Sequence, residues 1–240
     1  MSLFLRKKQS FFSLLILNLL VKIRNFVEFC WDCRHYYCNV LFLKIDFLLF
    51  LFYLFRNPFK VSKRYLLQRG EKEVYTYGET PLKEWEKIAL ECRLSQEDIV
   101  FDLGCGRGRT IFWLHCFVGC KAVGIERVPF FVRKASNIKN YMHLCDVDFF
   151  EKDILDVDFS CATMIYLSGT CMETEVIEKL LERFESLSEG ARVVTISYPL
   201  TAYKANSTLR LEKTVPISFN WGDTFAYFHL KGKSNIALIH

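Results

Sequence analysis

The sequence predicts an α/β fold, a mostly parallel sheet with helices on both faces, preceded by an apolar helical N-terminal extension. Three observations predict it. From about residue 82 onward, short buried-type strands alternate with segments that are apolar at helical spacing. The first strand runs directly into Gly104-Cys105-Gly106-Arg107-Gly108, a glycine-rich turn that opens a helix. The first sixty residues have a different composition, apolar and basic, without that alternation.

The 240 residues are 51% hydrophobic, 16% aromatic and 25% charged, which excludes a disordered or linker-like chain. This length holds one catalytic-size domain of about 150–200 residues with some chain to spare. Charge locates the remainder. Residues 1–57 carry eight Lys or Arg against three Asp or Glu, while residues 58–240 carry 24 of each. The main domain therefore has no net basic charge, and a nucleic-acid partner is not expected. The ten cysteines are scattered rather than framed, which fits a reducing compartment. Cys30, Cys33, His35 and Cys38 lack the second ligand pair of a zinc site, and no metal is expected.

The extension is taken as residues 1–69 and the main domain as 70–240. Phe11–Val21 follows Arg6, Lys7 and Lys8 like a signal peptide, but no small-residue cleavage site comes after it. Tyr36–Phe55 is the better membrane candidate, although it is broken by Asn39, Lys44 and Asp46, the last two costing about 2.5–3.5 kcal/mol each at bilayer depth. The cluster Arg56, Lys60, Lys63, Arg64 and Arg69 follows and would hold the main domain on the cytoplasmic side. The expectation is membrane association, spanning or interfacial. The alternative is a soluble cytoplasmic chain whose extension packs on the domain.

In the main domain, Pro81–Cys92 is apolar at helical spacing with Pro at a tolerated first-turn position. Ile99–Leu103 reads as a strand, Thr110–Val118 as a helix and Ala122–Ile125 as the second strand. Phe130–Leu144 reads as a helix, with strands at Val147–Phe150 and Thr163–Leu167. Glu173–Leu187 carries Val176, Ile177, Leu180, Leu181 and Phe184 on one stripe and is closed by Gly190. Ala191–Ser197 is a strand, and Thr208–Lys213 with Thr224–Leu230 form a terminal β pair.

Chemistry concentrates in Asp102-Leu103-Gly104-Cys105-Gly106-Arg107-Gly108-Arg109. Glycines between a strand and a helix let backbone approach a ligand closely. A dinucleotide-binding fold would place its third glycine one position later than Gly108 and need no Asp before the first. Glu126, 22 residues after Gly104, ends the second strand, where a carboxylate can accept both hydroxyls of a ribose.

Asp-x-Gly-x-Gly-x-Gly with that downstream acid resembles the cofactor loop of class I, seven-strand S-adenosylmethionine-dependent methyltransferases. Upstream, Tyr77-Gly78-Glu79-Thr80 resembles the cofactor-covering loop of the non-SET, disruptor-of-telomeric-silencing-type lysine methyltransferases. The resemblance spans about residues 74–230 and implies a Rossmann-like seven-strand methyltransferase sheet and S-adenosyl-L-methionine as cofactor. It implies cofactor-binding roles for Tyr77, Thr80, Asp102, Gly104, Gly106, Gly108 and Glu126, and for Asp153 at the adenine amino group. Where that family has an Asn-Asn-Phe turn, this chain has Ser168-Gly169-Thr170, which puts Ser168 beside the cofactor and departs from the family at the acceptor side. The apolar N-terminus and Asp223–Tyr227 look more like the related group that methylates lysines of membrane proteins, including the ATP synthase c-subunit.

A sulfonium cofactor brings its own reactive group, so the chain has chiefly to align a neutral amine with it. Tyr77, Tyr166 and Tyr198, the last two at the carboxyl edge of the sheet, are the candidates for a desolvating aromatic slot. The resulting expectation is a protein-lysine N-methyltransferase with a protein substrate, membrane proteins among the candidates. A small-molecule or lipid methyltransferase and a non-catalytic, membrane-tethered cofactor-binding module are the alternatives.

Overall fold

The computed structural model describes residues 11–74, 77–169, 172–203, 208–219 and 222–233. Seven strands form one sheet in the order β3-β2-β1-β4-β5-β7-β6, with β1 Ile99–Leu103, β2 Lys121–Glu126, β3 Val147–Glu151, β4 Met164–Leu167 and β5 Arg192–Ile196. These five pair in parallel. The last two, β6 Leu209–Phe219 and β7 Gly222–Lys231, form an antiparallel hairpin whose β7 lies against β5. Each predicted strand is present, and the hairpin strands are longer than their sequence pattern indicated.

Alternation along the strands divides the core into two layers. Val100, Ala122, Met164, Tyr166 and Val194 face one side, with α4 (Leu82–Glu91), α5 (Arg109–Trp113, continuing as a π turn to Val118) and α6 (Pro129–Tyr141). Phe101, Leu103, Val123, Ile165 and Val193 face the other side, with α7 (Thr174–Arg183), Phe159 and Phe184. The strand order reverses at β1, between β2 and β4, and in such sheets that switch point is where ligands bind.

The extension forms three helices, α1 Phe11–Tyr36, α2 Val40–Tyr53 and α3 Pro58–Gln68. The expected membrane span Tyr36–Phe55 is corrected here. Asn39 breaks it by capping α2, its side-chain oxygen accepting the Phe42 amide at 3.1 Å, so α2 has only 14 residues. Among the described residues, no helix is long and apolar enough to cross a membrane. One face of α2 instead joins the core, where Phe42, Ile45, Leu49 and Tyr53 recur at helical spacing and are buried with Phe112, Trp113 and Phe131. Its other face, with Leu43, Phe47, Phe50 and Leu51, is exposed.

The α3 helix is a further correction, because its residues read in sequence only as a basic cluster. Asn57 caps it by accepting the Lys60 amide, and Pro58 occupies its first turn.

Candidate cofactor site

The site begins where β1 ends. Gly104, Gly106 and Gly108 all have positive φ, at 94°, 54° and 79°. A β-carbon at Gly108 would lie 2.4 Å from the Phe149 ring of β3, so this glycine lets α5 pack on the sheet. At Gly106 it would lie 3.1 Å from the Tyr77 ring. At Gly104 it would meet nothing within 4 Å, and this residue lines an open cavity.

Two buried carboxyls flank the turn. Glu126, the last residue of β2, accepts the Gly106 amide at 3.0 Å and the Val128 amide at 2.8 Å, one on each oxygen. Burial raises its pKa against these bonds, a further backbone bond from Arg127 and the Arg127 charge. Asp102 accepts the Thr110 hydroxyl at 2.5 Å. Burial pushes its carboxyl up to about 7, the Thr110 bond opposing and the Glu126 charge adding to the rise.

A loop from residue 77 to 80 closes over the turn. The Tyr77 ring sits between Phe59 of α3 and Phe131 of α6, each 5.1 Å away by centroid. Its hydroxyl donates to Glu79. Arg107, inside the glycine turn, grips both Glu79 oxygens at 2.5 Å. Burial raises the Glu79 carboxyl, but the Arg107 charge and its fork of bonds outweigh burial and hold it at about 2. At the end of the loop, the Thr80 and Tyr166 hydroxyls are 2.6 Å apart in the interior.

The cavity holds about 350 Å³ beside the carboxyl ends of β1, β2 and β4. Of the residues expected at the site, Tyr77, Gly104, Glu126, Asp153 and Ser168 line it. Asp153 also caps a short 3₁₀ turn by accepting the Leu155 amide at 3.0 Å. Thr80, Asp102, Gly106, Gly108, Tyr166 and Tyr198 are not part of the wall. Tyr166 is buried beneath it against Trp85. The Tyr198 hydroxyl is buried behind Gly169 with no hydrogen-bond partner among the described residues. Thr170 of the Ser168–Thr170 turn lies outside the described residues. Sequence reasoning missed Ser62 and Leu66 of α3 and Met172 and Val176 near α7, all in the wall. For α3 a signal existed in the Asn57-Pro58 cap. For α7 the stripe read as core held Val176, and only its position in space reveals the cavity side.

A family model described as a methyltransferase domain matches residues 94–227, more than half of the chain. This protein belongs to the methyltransferase-domain family. The methyltransferase is 28% identical over 187 residues to the H3 lysine-79-specific histone-lysine N-methyltransferase of Dictyostelium discoideum, an alignment covering 70% of this chain and 9% of that relative. It is 30% identical over 138 residues to a protein-lysine N-methyltransferase of Saccharolobus islandicus, covering 57% of this chain and 84% of the relative. Among solved structures, an RNA methyltransferase from Salinibacter ruber in complex with S-adenosyl-L-homocysteine superposes with a TM-score of 0.54 at 25% identity, over 68% of this chain and all of that one. The cofactor of the methyltransferase is S-adenosylmethionine. The residues present fit it: open space lies beyond Gly104, and acids sit at the ends of both central strands.

Proposed function

We propose that this S-adenosylmethionine-dependent methyltransferase transfers the methyl group to a lysine side chain of a protein. The observation that carries the reading is the closed loop of Tyr77 to Thr80, the element resembling lysine methyltransferases, clasped to the glycine turn through Glu79 and Arg107. The similarity to two lysine methyltransferases supports it.

When bound, S-adenosylmethionine supplies an electrophilic methyl group on a sulfonium. In this reading Glu126, held by backbone amides and lining the cavity, accepts the ribose hydroxyls. Asp102, buried behind the wall near the end of β1, would attract the cofactor's amino cation, while Asp153 and Ser168 in the wall would take the adenine amino group and border the reacting end. The acceptor amine arrives past Tyr77 and loses solvent there, which favours its neutral, nucleophilic form. Burial raises the Tyr166 and Tyr198 hydroxyls above their ordinary range, so both stay protonated and neither serves as a base. Thr80 and Tyr166 brace the loop from below, and the Tyr198 hydroxyl lies behind Gly169.

A protein at a lipid surface is the acceptor favoured by the exposed apolar side chains. Of the large hydrophobic residues that are exposed, most lie between Ile16 and Leu67, interspersed with Lys22, Arg24, Lys44 and Arg56. Interfacial seating of that face on anionic lipid needs no spanning helix. The full-length chain incubated with methyl-labelled cofactor and a membrane fraction tests the acceptor. The expected product is methyl-lysine, located by mass spectrometry. Label confined to extracted lipid, RNA or small metabolites would overturn the lysine reading and leave the cofactor in place.

A further inference from the structure

We infer that α2 is a working part of the cofactor site, with Asp46 and Tyr53 as positioning residues for the glycine turn and Arg107 as the latch that holds the covering loop on it. The inference rests on the cofactor cavity assigned above and is independent of the acceptor.

Asp46 and Tyr53 are seven residues apart, two helical turns and about 10.5 Å along the inward stripe of α2. They meet two arginines that flank Gly108. The Arg109 guanidinium places its Nε 2.8 Å and its Nη2 2.7 Å from the two oxygens of Asp46. Asp32 of α1 accepts from Arg109 at 3.0 Å, and Tyr37 donates to Asp46 at 2.6 Å. The Arg107 guanidinium carbon lies over the Tyr53 ring, 5.1 Å from its centroid, while its nitrogens hold Glu79. A continuous path of directional contacts thus runs from α2 through Arg107 to Glu79, and from Glu79 to the Tyr77 ring against Gly106.

Apolar contacts alone would hold α2 to the domain, and α2 already makes them through Ile45 and Leu49. A buried ion pair adds little net stability over a well-packed apolar pair of the same size. A guanidinium fork on a carboxylate fixes distance and angle together, at the one turn whose backbone must match a ligand. Replacing either arginine by lysine would keep the charge and lose that geometry.

Calorimetric titration of the full-length chain with S-adenosylhomocysteine, alongside the melting temperature of the unliganded chain, tests the assignment. Glu79→Gln and Tyr53→Leu are each expected to weaken binding about five- to twentyfold, as loss of a charge-assisted contact would. Because both act through Arg107, the double variant is expected to bind within about twofold of the weaker single one. Arg107→Lys should match Glu79→Gln, whereas Asp46→Asn should weaken binding through Arg109. A purely structural role would lower the melting temperature of these variants and leave the dissociation constant unchanged, which overturns the inference. A double variant whose loss equals the product of the single losses overturns it too. Should Asp46→Asn fail to fold, Tyr53→Leu and Glu79→Gln decide the matter. Glu126→Ala separates the two levels: unchanged binding there overturns the cavity assignment and the inference together. Weakened binding in Glu126→Ala with unaltered binding in Glu79→Gln and Tyr53→Leu overturns the inference alone.

Discussion

The carboxylate of Glu126 accepts the amide of Gly106 at 3.0 Å, tying the end of β2 to the middle of the glycine turn. The group proposed to hold the ribose therefore also shapes the loop. Micromolar binding of S-adenosylmethionine, about 8 kcal/mol, is expected of the intact chain. Glu126→Ala should weaken it by about 1.5–3 kcal/mol through loss of bonds to a charged group. Glu126→Gln should fall between, since an amide accepts with one oxygen only. Calorimetry giving one dissociation constant for all three proteins would contradict the ribose assignment.

If Asp102 meets the amino cation as proposed, cofactor binding is expected to depend on pH. Its buried carboxyl, raised to about 7, is largely protonated below neutrality, whereas a cationic partner stabilises the ionised form. Binding should therefore release a proton below about pH 7, and affinity should rise as pH increases toward 7. The fold responds in the opposite sense: the folded chain keeps a proton that the unfolded chain sheds near pH 4, so this group's contribution to stability declines from about pH 4 to 7. Titrations at pH 6 in buffers of differing ionisation enthalpy measure the released proton directly. A value of zero would remove Asp102 from the amino-group role.

Gly108→Ala should destabilise the chain by several kcal/mol, combining about 1–2 kcal/mol for a left-handed backbone with an overpacking cost of about 1–3 kcal/mol against Phe149. At this length, that lowers the melting temperature by roughly 5–15 °C. Phe149→Leu in the same chain should recover the overpacking part and leave the backbone part. Full recovery would mean that the positive φ carries no cost here.

Interfacial seating predicts that the full-length chain floats with vesicles rich in anionic phospholipid. Phe47 and Phe50 are about half exposed on the outer face of α2. Changing both to Glu should reduce the bound fraction tenfold or more, given about 1.5–3 kcal/mol for each buried aromatic side chain. A chain that stays at the bottom of the gradient at low salt would end the lipid-surface reading.

The glycine turn, its two flanking acids and the strand–helix alternation were legible because each is a local pattern. Ile99–Leu103 could be bounded to the residue, since an apolar run meets glycine there. Long-range partners were not legible. Asp46 looked like an expense in an apolar helix until Arg109 was found against it, and Tyr166 looked like a slot wall until Thr80 took its hydroxyl. The stretch Tyr36–Phe55 read as one segment because hydropathy averages over Asn39, whose cap is a directional effect. The α3 helix was hidden by its lysines and arginines, which drew attention to charge rather than to Val61 and Leu66 on its inner side.

Asp46 and Arg109 are 63 residues apart in the chain. At a synthesis rate of about 5–20 residues per second, α2 is made roughly 3–13 seconds before its arginine exists. During that interval its inward face, Phe42, Ile45, Leu49 and Tyr53 around a single carboxylate, has no domain to pack on. A nascent chain in that condition presents to the ribosome's surroundings a short greasy helix that resembles an insertion signal. The acid in its middle works against commitment to a bilayer until Arg109 emerges. Until then the carboxylate of Asp46 raises the cost of bilayer entry for α2.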